Sequence, residues 1–314
     1  MPRGNSVLRR AGVVISLLPW IQGRVILRPQ LECASCLFKW VYERSEVALS
    51  EKRRFQLIRR ITAILSRDFS PGMNVGDLSN QITDSIHEFL LQSSKYYQEH
   101  KLKSNQLAKE LLFTSTNFIE KAETAEERFI RACYLASASN VAPIGKPSEA
   151  YKFQEATDIL EGKGPLPRLV GDVFRVARRA KHVLYLADNA GEIGLDSLLI
   201  AKIKEMGSRV TLIVKEDPFF EDATLKDACF FGLDKLVDEI SMTKGFFVPS
   251  KSKLSSRKAF KKSDLLISKG TGNYEALKDE LDGKKAIFML KVKCGPIAAD
   301  SEVGLGSFLV KLDR

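Results

Sequence analysis

Tyr185-Leu-Ala-Asp188-Asn189-Ala-Gly191-Glu192-Ile-Gly194 packs a strand end, a polar turn and a helix start into ten residues. The apolar run from His182 to Ala187 predicts a buried strand, and a helix is predicted from Glu192 to Met206. Between them stands an acid and an amide. In open α/β sheets ligands gather at the carboxyl ends of strands, where a strand hands over to a helix. A carboxylate beside a carboxamide at such a place suits a hard cation that takes oxygen ligands. The same pair can also be read as a turn followed by a helix cap.

Working outward, short apolar strands are predicted at 183–187, 210–214, 265–268, 286–290 and 307–310. Helices are predicted to begin near Glu192, Asp222, Ser255 and Asn273. This alternation predicts an α/β/α sandwich with a mostly parallel sheet. Upstream the period changes. Cys36, Leu37, Trp40 and Val41, then Phe55, Ile58, Ile61 and Leu65, carry helical spacing. Further helical patterns run through Ile82, Ile86, Phe89 and Leu90, through Leu107 to Phe118, and through 129–138. Thr124 with Glu127 predicts a capping box. Gly162-Lys-Gly-Pro-Leu-Pro167 is the most punctuated stretch. The expected organisation is therefore an N-terminal extension over 1–30, poorly ordered, an all-helical domain over 31–165, and an α/β domain over 166–314 that binds metal and phosphate.

The chain has 314 residues, a net charge of +10 and ordinary globular composition. Arg3, Arg9, Arg10, Arg24 and Arg28 lie in the first 30 residues, which hold no acid; without these five the balance is +5. That excess fits anionic small molecules better than nucleic acid as a main partner. The start of the chain imitates a signal peptide, but its apolar stretch is short and interrupted, so no membrane span is expected. Five cysteines are too sparse for a disulfide framework, and the cytoplasm is the expected compartment.

Four polar clusters fall at predicted strand ends. They are Asp188-Asn189-x-Gly191-Glu192, Lys215 to Asp217 leading to Glu221-Asp222-Ala-Thr224, Lys269-Gly270-Thr271-Gly272-Asn273-Tyr-Glu275, and Lys291-Val-Lys293-Cys294. A parallel sheet brings such ends to one edge. Asp188, Asn189 and Asp222 then form an oxygen set for a divalent ion with open positions. Gly270 and Gly272 let backbone N–H groups approach an anion, and Lys269 and Lys293 add charge for phosphate. Singly, each cluster has an ordinary reading: Asp222 as a helix cap, the glycines as a loop, Lys291 and Lys293 as a solvated face.

Taken in order, the four clusters resemble the damage-control phosphatase family, formerly domain-of-unknown-function family eighty-nine, in its archaeal-type branch. Glu32-Cys33-Ala-Ser-Cys36-Leu37 also resembles the opening of that branch. The resemblance implies a helical part packed on an α/β/α sandwich and metal-dependent hydrolysis of phosphate monoesters. The implied substrates are small phosphorylated metabolites, sugar phosphates or damaged derivatives, and the implied ions are Mn, Mg, Co or Ni. It places the metal on Asp188, Asn189 and Asp222, the substrate loop on Lys269, Gly270, Thr271, Gly272 and Asn273, and a phosphate contact on Lys293. Two departures stand out. Glu221 replaces the usual Asn before Asp222, and Asn140 runs into Val-Ala-Pro where an acidic-aromatic pair is usual.

The expected catalytic residues are Asp188, Glu192, Lys269 and Lys293. Attack by a metal-held water is favoured, and an aspartyl-phosphate on Asp188 is the alternative. Glu192 is expected to orient water or to hold a hydrogen bond behind the metal. Cys33 and Cys36, with Cys294 as a third partner, form a possible cysteine cluster; buried apolar cysteines are the competing reading. Two rival functions remain. One is an adenosylmethionine-dependent methyltransferase, from the acidic, glycine-bearing turn at Asp188. The other is a non-catalytic metal-binding or interaction protein.

Overall fold

The alternation after residue 164 folds as a seven-stranded sheet with helices on both faces, in the computed structural model that describes residues 29–314. The extension expected over 1–30 lies almost wholly outside the described residues. Six helices come first: α1 (Leu31–Arg44), α2 (Glu51–Asp68), α3 (Val75–Ser85), α4 (His87–Glu120), α5 (Ala125–Ala138) and α6 (Gln154–Leu160). The α/β part runs β1 (Arg168–Val170), α7 (Val173–Arg179), β2 (His182–Leu186), α8 (Glu192–Glu205), β3 (Arg209–Lys215), α9 (Leu225–Phe230), α10 (Leu233–Leu236) and β4 (Glu239–Thr243). It continues with α11 (Leu254–Lys262), β5 (Leu265–Lys269), α12 (Thr271–Leu277), β6 (Lys285–Lys291), α13 (Gly295–Ser301) and β7 (Phe308–Asp313).

The strand order is β1-β7-β6-β5-β2-β3-β4. Every pairing is parallel except β6 with β7. The chain winds outward from β2 through β3 to β4, returns to place β5 on the other side of β2, and winds away through β6. Order therefore reverses between β2 and β5. The loops leaving their carboxyl ends part in opposite directions and open a crevice, the place where ligands bind in such sheets.

Alternating side chains divide between two cores. Val183, Tyr185 and Ala187 face a cluster with Phe129 and Ala132 of α5 and Leu195 and Leu199 of α8. Leu184 and Leu186 face Phe260 of α11 and Tyr274 of α12. The first core runs without a break from the sheet into α4 and α5. A third core joins α1, α2, α3 and the start of α4, through Leu37, Val41, Ile61, Leu78, Ile82 and Phe89. Phe220, from the loop after β3, inserts into that third core, so the helical part grips a loop of the sheet.

Local signals were met in several places. Thr124 Oγ1 accepts the Glu127 N–H at 3.1 Å while the Glu127 carboxylate accepts from the Thr124 N–H, as a capping box requires. The patterns around Phe89 and Leu107 belong to one helix of 34 residues, α4, because no Gly or Pro interrupts it. Helix α9 starts three residues past Asp222. Its cap is Thr224, in a box with Asp227. Strands β1 and β4 and helix α7 escaped prediction. Strand β4 reads Glu-Ile-Ser-Met-Thr and pairs only with β3, so its polar, half-exposed residues carry no apolar run. Among the described residues no helix is long and apolar enough to cross a membrane.

Leu199 is fully buried between α5 and the sheet. Leu199→Ala is expected to cost about 2–5 kcal/mol, read as a lower urea midpoint at unchanged slope.

Candidate active site

The crevice is built by backbone before any side chain enters it. Asp188 follows β2, and its carbonyl accepts the Ala223 N–H at 2.8 Å. The Ala190 N–H donates to the Glu221 carbonyl at 2.9 Å, and Asn189 and Asp222 pair as an isolated antiparallel bridge. The loop after β3 is thus stitched to the turn after β2, which sets Asp222 beside Asn189 and Asp188. Two glycines permit this. Gly191 has φ +77°, and a Cβ there would come within 2.7 Å of the Phe153 ring and 2.9 Å of the Ser104 carbonyl oxygen. Its N–H is taken by Asn105 Oδ1 of α4 at 2.6 Å. Gly270 has φ +80°, and a Cβ there would run into the Asp188 carboxylate. The end of β5 therefore touches the end of β2.

Asp188 Oδ2 accepts from Asn140 Nδ2 at 2.9 Å and from Asn189 Nδ2 at 2.8 Å. Asn140 sits just past α5 and is a hub. It also donates to Glu192 Oε2 at 3.0 Å, and its Oδ1 accepts from the Lys291 N–H at 3.2 Å and from Lys293 Nζ at 3.4 Å. The sequence departure after Asn140 thus leaves its contact with the site intact. Because the Asn189 amide nitrogen is spent on Asp188, its oxygen remains as the donor for a cation. Asp222 is buried, and its Oδ2 has no hydrogen-bond partner. Lys215 Nζ stands 3.6 Å away, behind it, over the Phe246 ring. Two carboxylates and an amide oxygen, one of them a buried oxygen without a donor, fit a hard divalent cation. Burial pushes the Asp188 and Asp222 carboxyls up, opposed by Lys293 and Lys215 at Asp188 and by Lys215 at Asp222. Bound positive charge would reverse that.

The four expected catalytic residues separate into two groups. Asp188 and Lys293 line the pocket. Burial lowers the Lys293 ammonium, and Asp188 draws it back up. Lys269 does not line it. It is the last residue of β5, fully buried, with Nζ 2.6 Å from Asp196 Oδ1 and 3.2 Å from Glu192 Oε1. Glu192 is buried beside it and is pushed up to about 7 by burial, which Lys269 opposes and Asp188 and Asp196 reinforce. Asp196 had no sequence signal, because an acid inside a helix reads as solvated. Thr271 and Gly272 line the pocket, whereas Asn273 is turned inward. Its amide bridges the Ala187 and Lys269 carbonyls at 3.0 and 2.9 Å, fastening β2 to β5.

The opposite wall is α1. Cys36, Leu37, Trp40 and Arg44, on one helical face, line the pocket. Arg44 is buried, makes a short ion pair with Glu221, and donates to the Ile144 carbonyl at 2.7 Å. Glu221 therefore has a counter-charge of its own. Cys33 is buried, while Cys36 and Cys294 are half-buried in one corner with Glu275. Burial pushes the Cys36 thiol up to about 12 and that of Cys294 up to about 11, and Glu275 adds to both. Among the described residues no three His, Cys, Asp or Glu side chains are arranged to hold a metal ion. Cys33 and Cys294 both add to the rise at Cys36, so the three expected cysteines gather as protonated thiols beside a carboxylate.

This fold and site belong to a family. Residues 30–309 match the family described as Damage-control phosphatase ARMT1-like domain, and the chain is a member of it. A damage-control phosphatase of Archaeoglobus fulgidus is 29% identical over 286 residues, covering 89% of this chain and 97% of that protein. Damage-control phosphatase PH1575 of Pyrococcus horikoshii is 29% identical over 292 residues, covering 90% and 97%. The crystal structure of a DUF89 family protein of the same organism, ph1575, superposes with a TM-score of 0.76 at 25% identity, over 91% of this chain and 99% of that one.

Two outcomes follow from the buried charges. Lys269→Met strands Glu192 and Asp196 without their cation and is expected to destabilise by about 3–5 kcal/mol; Lys269→Met with Asp196→Leu is expected to recover part of that loss in the denaturation midpoint. Glu275 is pushed up to about 7 by burial, from 4.5. A raised acid favours the folded state only while protonated, so its cost is absent below about pH 4.5 and complete above about pH 7. Glu275→Gln is expected to raise the melting temperature at pH 8 and leave it unchanged at pH 4.

Proposed function

We propose that this protein is a divalent-metal-dependent phosphatase acting on phosphate monoesters of small metabolites. The observation that carries the reading is the meeting of Asp188, Asn189 and Asp222, whose buried Oδ2 accepts no hydrogen bond and has only the Lys215 ammonium at 3.6 Å, with Lys293 in the crevice between β2 and β5. Family membership and the names of the two relatives support it. Asp188, Asn189 and Asp222 would hold the cation, with Mn, Mg, Co and Ni as the candidates. When bound, it supplies Lewis-acid polarisation of the phosphoryl oxygens.

The chain's own residues do the rest. Lys293 places a positive charge where phosphate charge accumulates as the ester bond breaks. Thr271 and Gly272, which open α12, line the pocket. Asn140 ties the Asp188 carboxylate to the Glu192 carboxylate by donating to both from its amide nitrogen. Glu192, buried behind the pocket lining, would act through the Asn140 amide that it shares with Asp188, and Lys269 with Asp196 holds it from behind. Lys269 thus acts by positioning Glu192 rather than by touching phosphate. The methyltransferase reading finds no support in the turn at Asp188, whose Gly191 amide is occupied by Asn105.

The test is phosphate release from a panel of monoesters by protein stripped with chelator and reloaded with each ion. Turnover is expected to vanish on stripping and to return with metal. Asp222→Ala is expected to lose more than about a hundredfold, and Asn140→Ala about ten- to a hundredfold, as for an outer partner of a ligand. Metal binding without release from any monoester would refute the proposal and favour a non-catalytic role.

A further inference from the structure

The pocket divides into a polar floor and a different kind of wall. The floor holds Asp188, Asn189, Asp222 and Lys293. The apolar part of the lining is the α1 stripe, Leu37 and Trp40, together with Phe246 and Ile297. Trp40 is half-buried and held from several sides. Its ring centroid lies 5.5 Å from that of Phe220, edge-on, and 6.2 Å from that of Phe246, and the Arg44 guanidinium lies 5.9 Å from it. Phe246 is fixed in turn, since Asn80 bonds both its N–H and its carbonyl, at 2.8 and 2.9 Å. Its ring also lies over Gly272, in space that any side chain there would need. Aromatic side chains set rigidly on one side of a pocket form a surface for a flat or apolar group.

The charges on the lining narrow the choice further. Among the described residues the pocket is lined by two cations, Arg44 and Lys293. Arg44 is matched by Glu221, and Lys269 and Lys215 are turned away to Asp196 and Asp222. A divalent ion on Asp188 and Asp222 would leave Lys293 alone to answer the phosphate. Among the described residues the lining then offers a second anionic group only Arg44, whose charge Glu221 already matches and whose Nε alone lacks a hydrogen bond. Glu221 instead offers a buried carboxylate oxygen without a partner, and Glu275 a second carboxyl, both of them acceptors.

We propose that the substrate is a phosphate monoester whose remaining part is a planar or apolar group without a second negative charge, seated against Trp40. It rests on the phosphatase reading for the position of the phosphate, but the wall is tested separately, by binding. The substrates singled out are ring-bearing monophosphates with neutral or donor substituents. Those rejected are bisphosphates and carboxylate-bearing phosphates, whose extra charge would face Glu221 and Glu275.

The experiment is calorimetric titration of the metal-loaded protein with three phosphonates that cannot be hydrolysed: 3-phenylpropylphosphonate, propylphosphonate and 3-phosphonopropionate. The phenyl compound is expected to bind about tenfold tighter than propylphosphonate, the ratio for one well-packed ring, and the carboxylate compound weakest. Trp40→Ala is expected to reduce the first ratio toward one, and Trp40→Phe to keep most of it. The wild-type order stands without the variants should they fail to fold. Equal binding of all three, no binding of any, or tightest binding of 3-phosphonopropionate overturns the proposal. The expected order in a protein that releases no phosphate would sink the phosphatase reading and leave the wall assignment in place; turnover with a flat order would do the reverse.

Discussion

Two backbone hydrogen bonds hold the site together: the Ala223 N–H on the Asp188 carbonyl and the Ala190 N–H on the Glu221 carbonyl. They splice the loop after β3 onto the turn after β2 where regular pairing has ended. With them, two like charges and an amide lie side by side, which is costly in a buried place. The surroundings offset that cost. Asn140 and Asn189 donate to Asp188, Lys215 stands behind Asp222, and Lys293 faces Asp188.

The helical part is therefore more than a cover. Phe220 enters its core next to Glu221. Arg44 reaches from α1 to Glu221 itself. From the other side, Lys101 of α4 pairs with Asp227 at 2.8 Å and donates to Thr224 Oγ1 at 3.2 Å, while Asn105 holds both Asp227 and the Gly191 amide. Each of these contacts grips the spliced loops, not the sheet. Breaking a buried pair by removing one partner is strongly destabilising, so the helices and the turn after β2 are expected to fail together.

The sheet and its mostly parallel sense were legible because buried parallel strands are nearly continuous apolar runs, as at 183–187 and 286–290. The polar strand ends were legible for the complementary reason, that acids and amides there have no place in a core. What escaped was polar and local in sequence but distant in space. Strand β4 has no apolar run. Asp196 and Lys215 look like ordinary helix and strand residues until Lys269 and Asp222 come beside them. Lys269 is the converse case. A lysine before a glycine pair suggests a phosphate loop, yet as the fifth residue of a fully buried strand its side chain has only the interior to enter. Alternation along β5 contained that information, since Ile267 and Lys269 share one face. Asn140 was readable only as a doubt, because its partners are separated from it by more than forty residues.

The antiparallel strand β7 has a consequence for how the molecule is made. It lies between β6 and β1, and β1 pairs with no other strand. It is also translated after every other strand. On the ribosome the half of the sheet carrying β2, β3, β4 and β5 can assemble early, with its crevice already formed. During that interval β6 is an open edge and β1 an unpaired segment, the kind of exposed backbone that recruits other chains. The step that closes the fold is thus the insertion of a single late strand, and a nascent chain stalled before it would carry a nearly complete site on an unfinished sheet.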